Sequence, residues 1–230
     1  AGLEDGCDLK AENIKITARG TDFDMIYKGE KYPVNLRIPG KFSVYNAICA
    51  AGAAIELGID IATIQKGLAA AAGVLGRVEV VPTDTDYTVI IDYAHTPDGL
   101  ENIINCVQGF AQGRVITVFG CGGDRDSAKR PIMGEIAGRL SDFSIITSDN
   151  PRTEDPQKIV DKIEEGMKKT GGKYICITDR REAIGYALDN AKAGDVIILA
   201  GKGQETYQII GKEKFDFDER AEVYSHLRRK

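Results

Sequence analysis

Five consecutive residues, Ser148-Asp149-Asn150-Pro151-Arg152, combine a carboxylate, an amide and a guanidinium. They follow an apolar strand candidate, 143–147, and precede a helix candidate that starts near Asp155-Pro156. In an open α/β sheet, ligands bind beyond the carboxyl ends of the strands. Pro151 stiffens the turn, and Arg152 suits a bidentate pair with a carboxylate. The stretch predicts a site for a small zwitterion, but a helix-capping turn with a solvated arginine accounts for the same five residues.

Two further polar clusters follow predicted strands. In Asp92-Tyr93-Ala94-His95-Thr96-Pro97, Asp92 suits ribose hydroxyls, and His95 suits a base or phosphate or simply a helix start. In Gly120-Cys121-Gly122-Gly123-Asp124-Arg125-Asp126, Arg125 occupies the place of the third glycine of a dinucleotide-binding GxGxxG motif. This departure excludes an NAD site. It leaves Arg125 as an anion clamp, or the loop as a glycine-rich turn with solvated charges.

A fourth cluster, Gly201-Lys202-Gly203-Gln204-Glu205, follows the last strand candidate. Its glycines allow a ligand to approach the backbone closely, and Glu205 suits an ammonium group. A tight turn into a hairpin explains the same residues. The phosphate-binding sequence GxxxxGK[ST] is absent from the 230 residues, since Gly40-Lys41 is followed by Phe42 and Gly201-Lys202 by Gly203. If ATP is used, we expect its phosphate loop to lie outside this chain.

The elements that would position these clusters alternate regularly from Arg77 onward. The strand candidates are 87–92, 114–119, 143–147, 174–178 and 195–200. The helical faces between them are Leu100, Ile103, Ile104, Val107 and Phe110; Ile132, Met133, Ile136, Ala137 and Leu140; Ile159, Val160, Ile163 and Met167; Ala183, Ile184, Ala187 and Leu188. Five strands with four crossover helices predict an α/β fold, with a mostly parallel sheet covered on both faces. A hairpin with strands over 207–210 and 214–217 around Gly211, and a helix over 218–228, end the chain.

The first part of the chain has a different pattern. A hairpin is predicted over 23–38 with Gly29 in its turn, followed by helices with apolar faces over 43–55 and 61–71. The glycines between Gly73 and Gly76 predict a linker. We therefore divide the chain into domains 1–76 and 77–230. We expect the first part to be the tail of one domain, because a hairpin and helices of this size cannot bury a full core by themselves.

Composition narrows the class of protein. The net charge is -5, and the longest basic run is the terminal Arg228-Arg229-Lys230, which argues against a nucleic-acid surface. No apolar run approaches membrane-spanning length. The five cysteines show no CxxC spacing, so neither a zinc site nor a disulfide framework is indicated. We expect an α/β protein of a reducing compartment, and the start at Ala1 suggests a fragment.

The four clusters, in this order along the chain, resemble the Mur ligases of peptidoglycan synthesis. The resemblance runs from about Ile38 to the end of the chain. It implies a Rossmann-like C-terminal domain preceded by the tail of a central ATPase domain. It also implies an ATP-dependent amide-bond ligase that adds meso-diaminopimelate to UDP-MurNAc-L-Ala-D-Glu through an acyl phosphate, in a cytoplasmic enzyme that is a monomer, with no nucleic-acid or membrane partner.

The same resemblance implies roles for particular residues. The incoming amino acid would be held by Arg125, Asp149, Asn150, Arg152, Gly201 and Glu205. ATP would be held by Asn46, Arg77, Asp92, His95 and Lys129. The phosphate loop and the Mg²⁺ ligands are expected outside this chain, so the chain alone is expected to be inactive. Two residues depart from the pattern: Ser43 stands where relatives often have asparagine, and Gln204 where histidine is common.

Three alternatives remain open from the sequence. A lysine-adding Mur ligase would share most of these motifs, although Arg152 favours diaminopimelate because that substrate carries a second carboxylate at its distal end. A stand-alone, non-catalytic small-molecule-binding module would have the same crevice. A folylpolyglutamate synthase would share the fold, but the stretches 149–152 and 201–205 argue against it.

Overall fold

The computed structural model describes residues 1–229 and divides the chain into two units, Ala1–Gly73 and the chain from Val74 onward. None of the helices in these 229 residues is both long and apolar enough to span a bilayer. Each unit has its own sheet and helices.

The first unit is a three-stranded antiparallel sheet with two helices. Its strands are β1 Leu9–Thr17, β2 Gly20–Tyr27 and β3 Glu30–Leu36, in the order β1-β2-β3, and its helices are α1 Lys41–Glu56 and α2 Ile61–Ala70. The predicted hairpin is confirmed: Tyr27 pairs with Glu30, and the two turn residues, Lys28 and Gly29, both have positive φ, 50° and 82°. This is the turn that matches the twist of paired strands. Asp60 begins α2, as predicted, by accepting a hydrogen bond from the backbone of Thr63.

Two expectations for this unit were wrong. Strand β1 was not predicted, because its inward alternation at Leu9 and Ala11 is interrupted where the pairing register shifts between Glu12 and Lys15 and Asn13 has φ 54°. A full core is also present. Its eleven buried residues form one cluster: Leu9, Ala11, Phe23, Met25, Val34, Leu36, Val44, Ala47, Ile48, Ala51 and Ile64. Strand β1 supplies apolar surface in addition to that of the predicted hairpin and helices.

The second unit contains a six-stranded sheet in the order β4-β5-β9-β6-β7-β8. The strands are β4 Glu79–Val81, β5 Thr88–Asp92, β6 Val115–Phe119, β7 Phe143–Ile146, β8 Tyr174–Cys176 and β9 Val196–Ala200. The five predicted strands are all present and parallel, which confirms the α/β class with a mostly parallel sheet. The short strand β4 pairs antiparallel with β5 and was not predicted, since three residues are too few to show a period.

Helices cover both faces of this sheet. They are α3 Pro97–Gln108, α4 Lys129–Leu140, α5 Pro156–Met167, α6 Arg180–Asn190 and α7 Glu219–Leu227. Helices α3, α4 and α5 pack side by side, whereas α6 and α7 pack together on a separate apolar cluster with Ile116, Ile145 and Leu199 of the sheet. On α4 the prediction for Ile132 was wrong: this side chain is half-exposed, because the buried stripe runs through Met133, Ile136 and Ala137.

The sheet order determines where the polar loops meet. Strands β5 and β6 are joined along the chain through α3, but they are not neighbours in the sheet. Strand β9, the last of the six in chain order, lies between them. The loops after β5, β9, β6 and β7 therefore lie in a row at one edge of the sheet, at the place where α/β proteins bind ligands. The loop after β9 leads into an antiparallel hairpin, β10 Tyr207–Ile210 and β11 Glu213–Asp216, the second strand lying one residue earlier than predicted.

Candidate functional site

Asn150, Lys202 and Glu205, which we call the Asn150 cluster, form the centre of the site. The Asn150 side-chain amide donates to Glu205 Oε2 at 2.9 Å, and its Oδ1 accepts from the backbone N–H of Ile209 at 2.9 Å. The Lys202 ammonium lies 3.3 Å from both Asn150 Oδ1 and Glu205 Oε2. The loops after β7 and β9 are thereby joined through side chains from residues more than fifty positions apart.

Arg152 lies beside this cluster with φ 51°, in the left-handed region. Its Nη1 donates to the carbonyl of Gly123 at 2.8 Å, and its backbone pairs with Ile209 and Gly211 of the hairpin region. A Cβ added to Gly122 would lie 2.9 Å from Arg152 Nη1 and 3.9 Å from Arg125 Cγ. Arg125 and Arg152 therefore flank the same glycine, and the exposed Arg125 side chain completes a positively charged rim.

Asp149 and Gly201 are in direct contact. Asp149 is buried and accepts from the backbone N–H of Asn150 at 2.6 Å. A Cβ at Gly201, whose φ is 121°, would lie only 2.8 Å from Asp149 Oδ2. Glycine is required there for both its backbone angle and its lack of a side chain. Hence all six residues predicted for the amino acid come together at this edge of the sheet.

A second group of side chains lies at the end of β5. The Arg77 guanidinium lies 4.8 Å from the centre of the Tyr93 ring, and the His95 and Tyr93 rings form a T-shaped pair with centroids 4.6 Å apart. Lys129 donates to the backbone carbonyl of His95 at 2.7 Å. Two of the predicted ATP residues, Arg77 and His95, therefore contact Tyr93, to which the sequence assigned no role, and a third, Lys129, is hydrogen-bonded to the His95 backbone.

Asp92 is the most buried of the predicted ATP residues. Its two carboxylate oxygens each accept a backbone hydrogen bond at 2.8 Å, from Val78 and Ala94. Burial raises the pKa of Asp92, although these two hydrogen bonds and the nearby Arg77 charge oppose the shift. These contacts make Asp92 a support for the loop after β5 and for Val78, which has φ 44°.

The two side-chain groups share one glycine-rich loop. A Cβ at Gly203 would lie 2.7 Å from Tyr93 Cβ and 2.9 Å from the carbonyl of Gly76. A Cβ at Gly76 would lie 2.2 Å from the backbone nitrogen of Gln204. Gly76, which the sequence placed in a linker, is therefore packed inside the second unit, whereas Gly73, Val74 and Leu75 of that segment are exposed.

Buried charges hold the loops in place. Arg130 forms a two-pronged pair with Glu154 at 2.8 and 2.9 Å, and Glu154 also accepts from the backbone of Asp124. The hydrogen bond from Arg130 holds the pKa of Glu154 below its usual value. Arg180, at the start of α6, is fully buried and donates to the carbonyl of Ala200 at 2.9 Å. These two arginines fix the loops that carry Arg125 and Gly201.

The last predicted ATP residue, Asn46, belongs to the first unit. It lies on the exposed side of α1, whereas Ser43, one turn earlier, is buried and donates to the carbonyl of Pro39 at 2.9 Å. Among residues 1–229 no group of three or more His, Cys, Asp or Glu side chains is arranged to hold a metal ion.

An open cavity of about 910 Å³ lies at the other end of the sheet. It is lined by the loop before β5 and by the last turns of α6 and α7. None of the eleven predicted site residues lines it.

Comparison with known proteins gives two family matches. Residues 76–203 match the model described as "Mur ligase, glutamate ligase domain", and residues 1–54 match the "Mur ligase middle domain".

Individual relatives agree with these matches. The chain is 49% identical over 229 residues to UDP-N-acetylmuramoyl-L-alanyl-D-glutamate--2,6-diaminopimelate ligase 1 of Clostridium acetobutylicum, covering 99% of the chain and 47% of that protein. It is 51% identical to the corresponding ligase of Clostridium botulinum, covering 98% of the chain and 47% of that protein. A solved structure of a ligase with the same name superposes with a TM-score of 0.78 at 35% identity, covering 98% of the chain and 46% of that structure. The chain thus spans about half the length of the relatives it matches.

Proposed function

The chain belongs to the Mur ligase family, and from this premise we propose that it supplies the amino-acid site and part of the ATP site of a ligase that adds meso-diaminopimelate to UDP-MurNAc-L-Ala-D-Glu. The reaction class is amide-bond formation between the D-glutamate carboxylate and an amine of the incoming amino acid. We place this activity in the cytoplasm and in a monomeric protein. The names of the 2,6-diaminopimelate ligases to which the chain is similar support the choice of substrate.

The observation that supports the proposal is that Arg152 and Asn150, on the loop after β7, lie at the same end of the sheet as Glu205, on the loop after β9, with which Asn150 is in direct contact. The Arg152 side chain uses Nη1 for Gly123, and within residues 1–229 its remaining N–H groups have no hydrogen-bond acceptor. Glu205 likewise has Oε1 without a partner in the same described part of the chain. A guanidinium beside a carboxylate complements a carbon that bears both a carboxylate and an ammonium group.

This arrangement distinguishes two candidate substrates. The distal end of diaminopimelate carries an ammonium and a carboxylate on one carbon, whereas the distal end of lysine carries only an ammonium. A lysine site needs Glu205 but has no use for the Arg152 guanidinium. Arg125, on the other side of Gly122, adds a second cation for a carboxylate. The geometry therefore favours diaminopimelate over lysine.

The group at the end of β5 suits the phosphates of ATP. Arg77 and His95 lie against Tyr93 and are exposed, and Lys129 is hydrogen-bonded to the His95 backbone, so cationic or hydrogen-bonding groups are gathered at the end of β5. ATP supplies the phosphoryl group that activates the glutamate carboxylate. The adenine role of Asn46, which lies in the first unit, stays a prediction, and Mg²⁺ would take its ligands from residues outside the described chain. The second candidate function is a small-molecule-binding module without catalysis. Such a module would have no use for the cationic group at the end of β5.

The test is the amino-acid preference of the intact protein when Arg152 is changed to alanine. Losing one charge-assisted partner in a buried site costs about 2–5 kcal/mol, so the KM for meso-diaminopimelate should rise by more than tenfold. The lysine reaction should change much less, because lysine offers no distal carboxylate to Arg152. Arg152→Lys keeps the positive charge but loses the planar, two-pronged guanidinium, so its KM for meso-diaminopimelate should lie between those of the wild type and Arg152→Ala.

Arg139→Ala is the matched control, since Arg139 is an exposed arginine on α4 that pairs only with Glu135 within residues 1–229. It should leave both amino acids unaffected. A wild-type preference for lysine, or an equal loss with both amino acids in Arg152→Ala, would show that the substrate is wrongly assigned. Absence of any ligase activity in the intact wild-type protein would favour the binding module.

A further inference from the structure

Lys202 is a buried cation with no role in the function proposed above. Its side chain is 0% exposed, although it lies in a loop between two glycines. Lysine is almost never fully buried unless it is paired, because an ammonium loses its hydration when it leaves water. Such a residue requires partners, and the only charged partner within the described residues is Glu205.

The surroundings of the Lys202 ammonium are well defined. It lies 3.3 Å from Glu205 Oε2 and 3.3 Å from Asn150 Oδ1. The faces of the Tyr207 and Phe217 rings lie at 5.7 and 5.9 Å, within the range of a cation–π interaction. The ammonium is thus enclosed by the two groups that face the amino acid and by two aromatic rings that exclude water.

The ammonium and the Ile209 backbone N–H together determine which way the Asn150 amide points. Because Oδ1 accepts from both Lys202 and the Ile209 backbone, the amide nitrogen is directed at Glu205. One hydrogen of that nitrogen is used for Glu205 and the other is left for a ligand. Lys202, together with the Ile209 backbone, therefore presents Asn150 as a donor, which suits a ligand carboxylate and does not suit a ligand ammonium.

The charge balance of the site depends on the same residue. Asp149 and Glu205 are negative, and Arg125 and Arg152 are positive, so these four groups alone sum to zero. With Lys202 the sum is one positive charge. A positively charged site disfavours a ligand whose distal end carries only an ammonium group. It tolerates a ligand whose distal end carries both an ammonium and a carboxylate group.

We propose that Lys202 is a specificity-determining positioning residue: it neutralises Glu205 and orients Asn150, so that the site accepts an amino acid with a distal carboxylate and rejects one with a distal ammonium alone. This inference rests on the proposed ligase function. It assigns to Lys202 no contact with the substrate.

A purely structural role for Lys202 makes a different prediction. If the ammonium only held the loop after β9 in place, its loss would impair every amino acid equally. If it determines specificity, its loss must change the ratio between two amino acids. The experiment therefore measures kcat/KM for meso-diaminopimelate and for L-lysine in the intact protein, with Lys202→Met and with a matched control.

The control is Lys214→Met. The Lys214 ammonium lies 4.2 Å from the centre of the same Tyr207 ring, but it is on the exposed strand β11. Lys202→Met should lower kcat/KM for meso-diaminopimelate about tenfold or more, which corresponds to about 1.4 kcal/mol or more. The value for lysine should stay constant or rise. Lys214→Met should leave both values unchanged.

An equal loss with both amino acids, or an unchanged ratio, would overturn the inference while the ligase function stands. A wild-type protein that does not use meso-diaminopimelate would overturn both. If Lys202→Met does not fold, the wild-type protein decides the matter through the ¹⁵N signal of its lysine ammonium groups. The inference requires one solvent-protected ammonium that shifts more with meso-diaminopimelate than with lysine, and an ammonium in free exchange with water would refute it.

Discussion

The pair Arg180–Glu219 offers a direct test of how the site is held together. Both side chains are 0% exposed, and the guanidinium lies 2.7–2.8 Å from Glu219 Oε1 through two of its nitrogens. The same guanidinium donates to the carbonyl of Ala200, one residue before Gly201, and weakly to that of Ser148, one residue before Asp149. One buried ion pair between α6 and α7 thus positions the ends of two strands.

The perturbation is Glu219→Gln, which keeps the shape of the side chain and removes its charge. Taking away one partner of a buried pair leaves the other charge without compensation and costs about 3–5 kcal/mol. Total stabilities of about 5–15 kcal/mol are usual, so this is a large share. The loss should appear as a lower urea midpoint with an unchanged dependence of the unfolding free energy on urea.

Glu222→Gln is a closely matched control. Glu222 lies three residues further along α7 and forms a two-pronged pair at 2.7 Å with Arg181, the neighbour of Arg180 on α6. Both glutamates are in the first turn of α7, so their interaction with the helix dipole is similar. The Arg181 side chain, however, is 56% exposed. An exposed pair of this kind contributes about 0.2–1 kcal/mol.

The assay is urea unfolding followed by circular dichroism, because the chain contains no tryptophan for fluorescence. Hydrogen exchange of the β9 amides, such as those of Ile197 and Ile198, confines the measurement to the second unit. The expected difference between the two variants is at least about 2 kcal/mol. If Glu219→Gln and Glu222→Gln destabilise the protein equally, burial is not what gives the Arg180 pair its importance.

Two further predictions concern packing and pH. A Cβ at Gly166 of α5 would lie 1.8 Å from the carbonyl of Pro131 on α4, whereas nothing lies within 4 Å of one at Gly67 of α2. Gly166→Ala should therefore lower the thermal midpoint, and Gly67→Ala should raise stability by up to about 1 kcal/mol; a tolerated Gly166→Ala would contradict this close packing. Burial opposes ionisation of Glu79, but hydrogen bonds from Arg220 and the Gly76 N–H outweigh it, and the pKa of Glu79 lies below 4.5. The stability that Glu79 contributes is therefore present above pH 4.5 and is lost as the pH falls through the lowered folded pKa. Urea unfolding measured at a series of acidic pH values should show a shallower loss of stability in Glu79→Gln than in the wild type. Parallel stability curves for the two proteins would contradict this.

Much of the fold could be predicted because its signals are local. Buried parallel strands appear as short apolar runs, and helices begin at residues such as Asp155 and Asp179 whose side chains cap the first turn. Two strands were missed, since β1 contains a register shift and β4 has only three residues. The prediction placed Ile132 on the buried side of α4, where its neighbour Met133 lies. Successive residues of a helix are rotated by about 100°, so an error of one position moves a side chain from the buried to the exposed side.

The chemical groups of the candidate site were also visible in the sequence, since each polar motif directly follows an apolar strand. Their contacts were not visible. Asn150 meets Lys202 and Glu205, and these partners are 52 and 55 residues away along the chain. That meeting depends on β9 lying between β5 and β6, and no local pattern encodes the order of strands in a sheet. The burial of Lys202 has the same origin: its ammonium is enclosed by Tyr207 and Phe217 only when the hairpin folds back over the loop after β9.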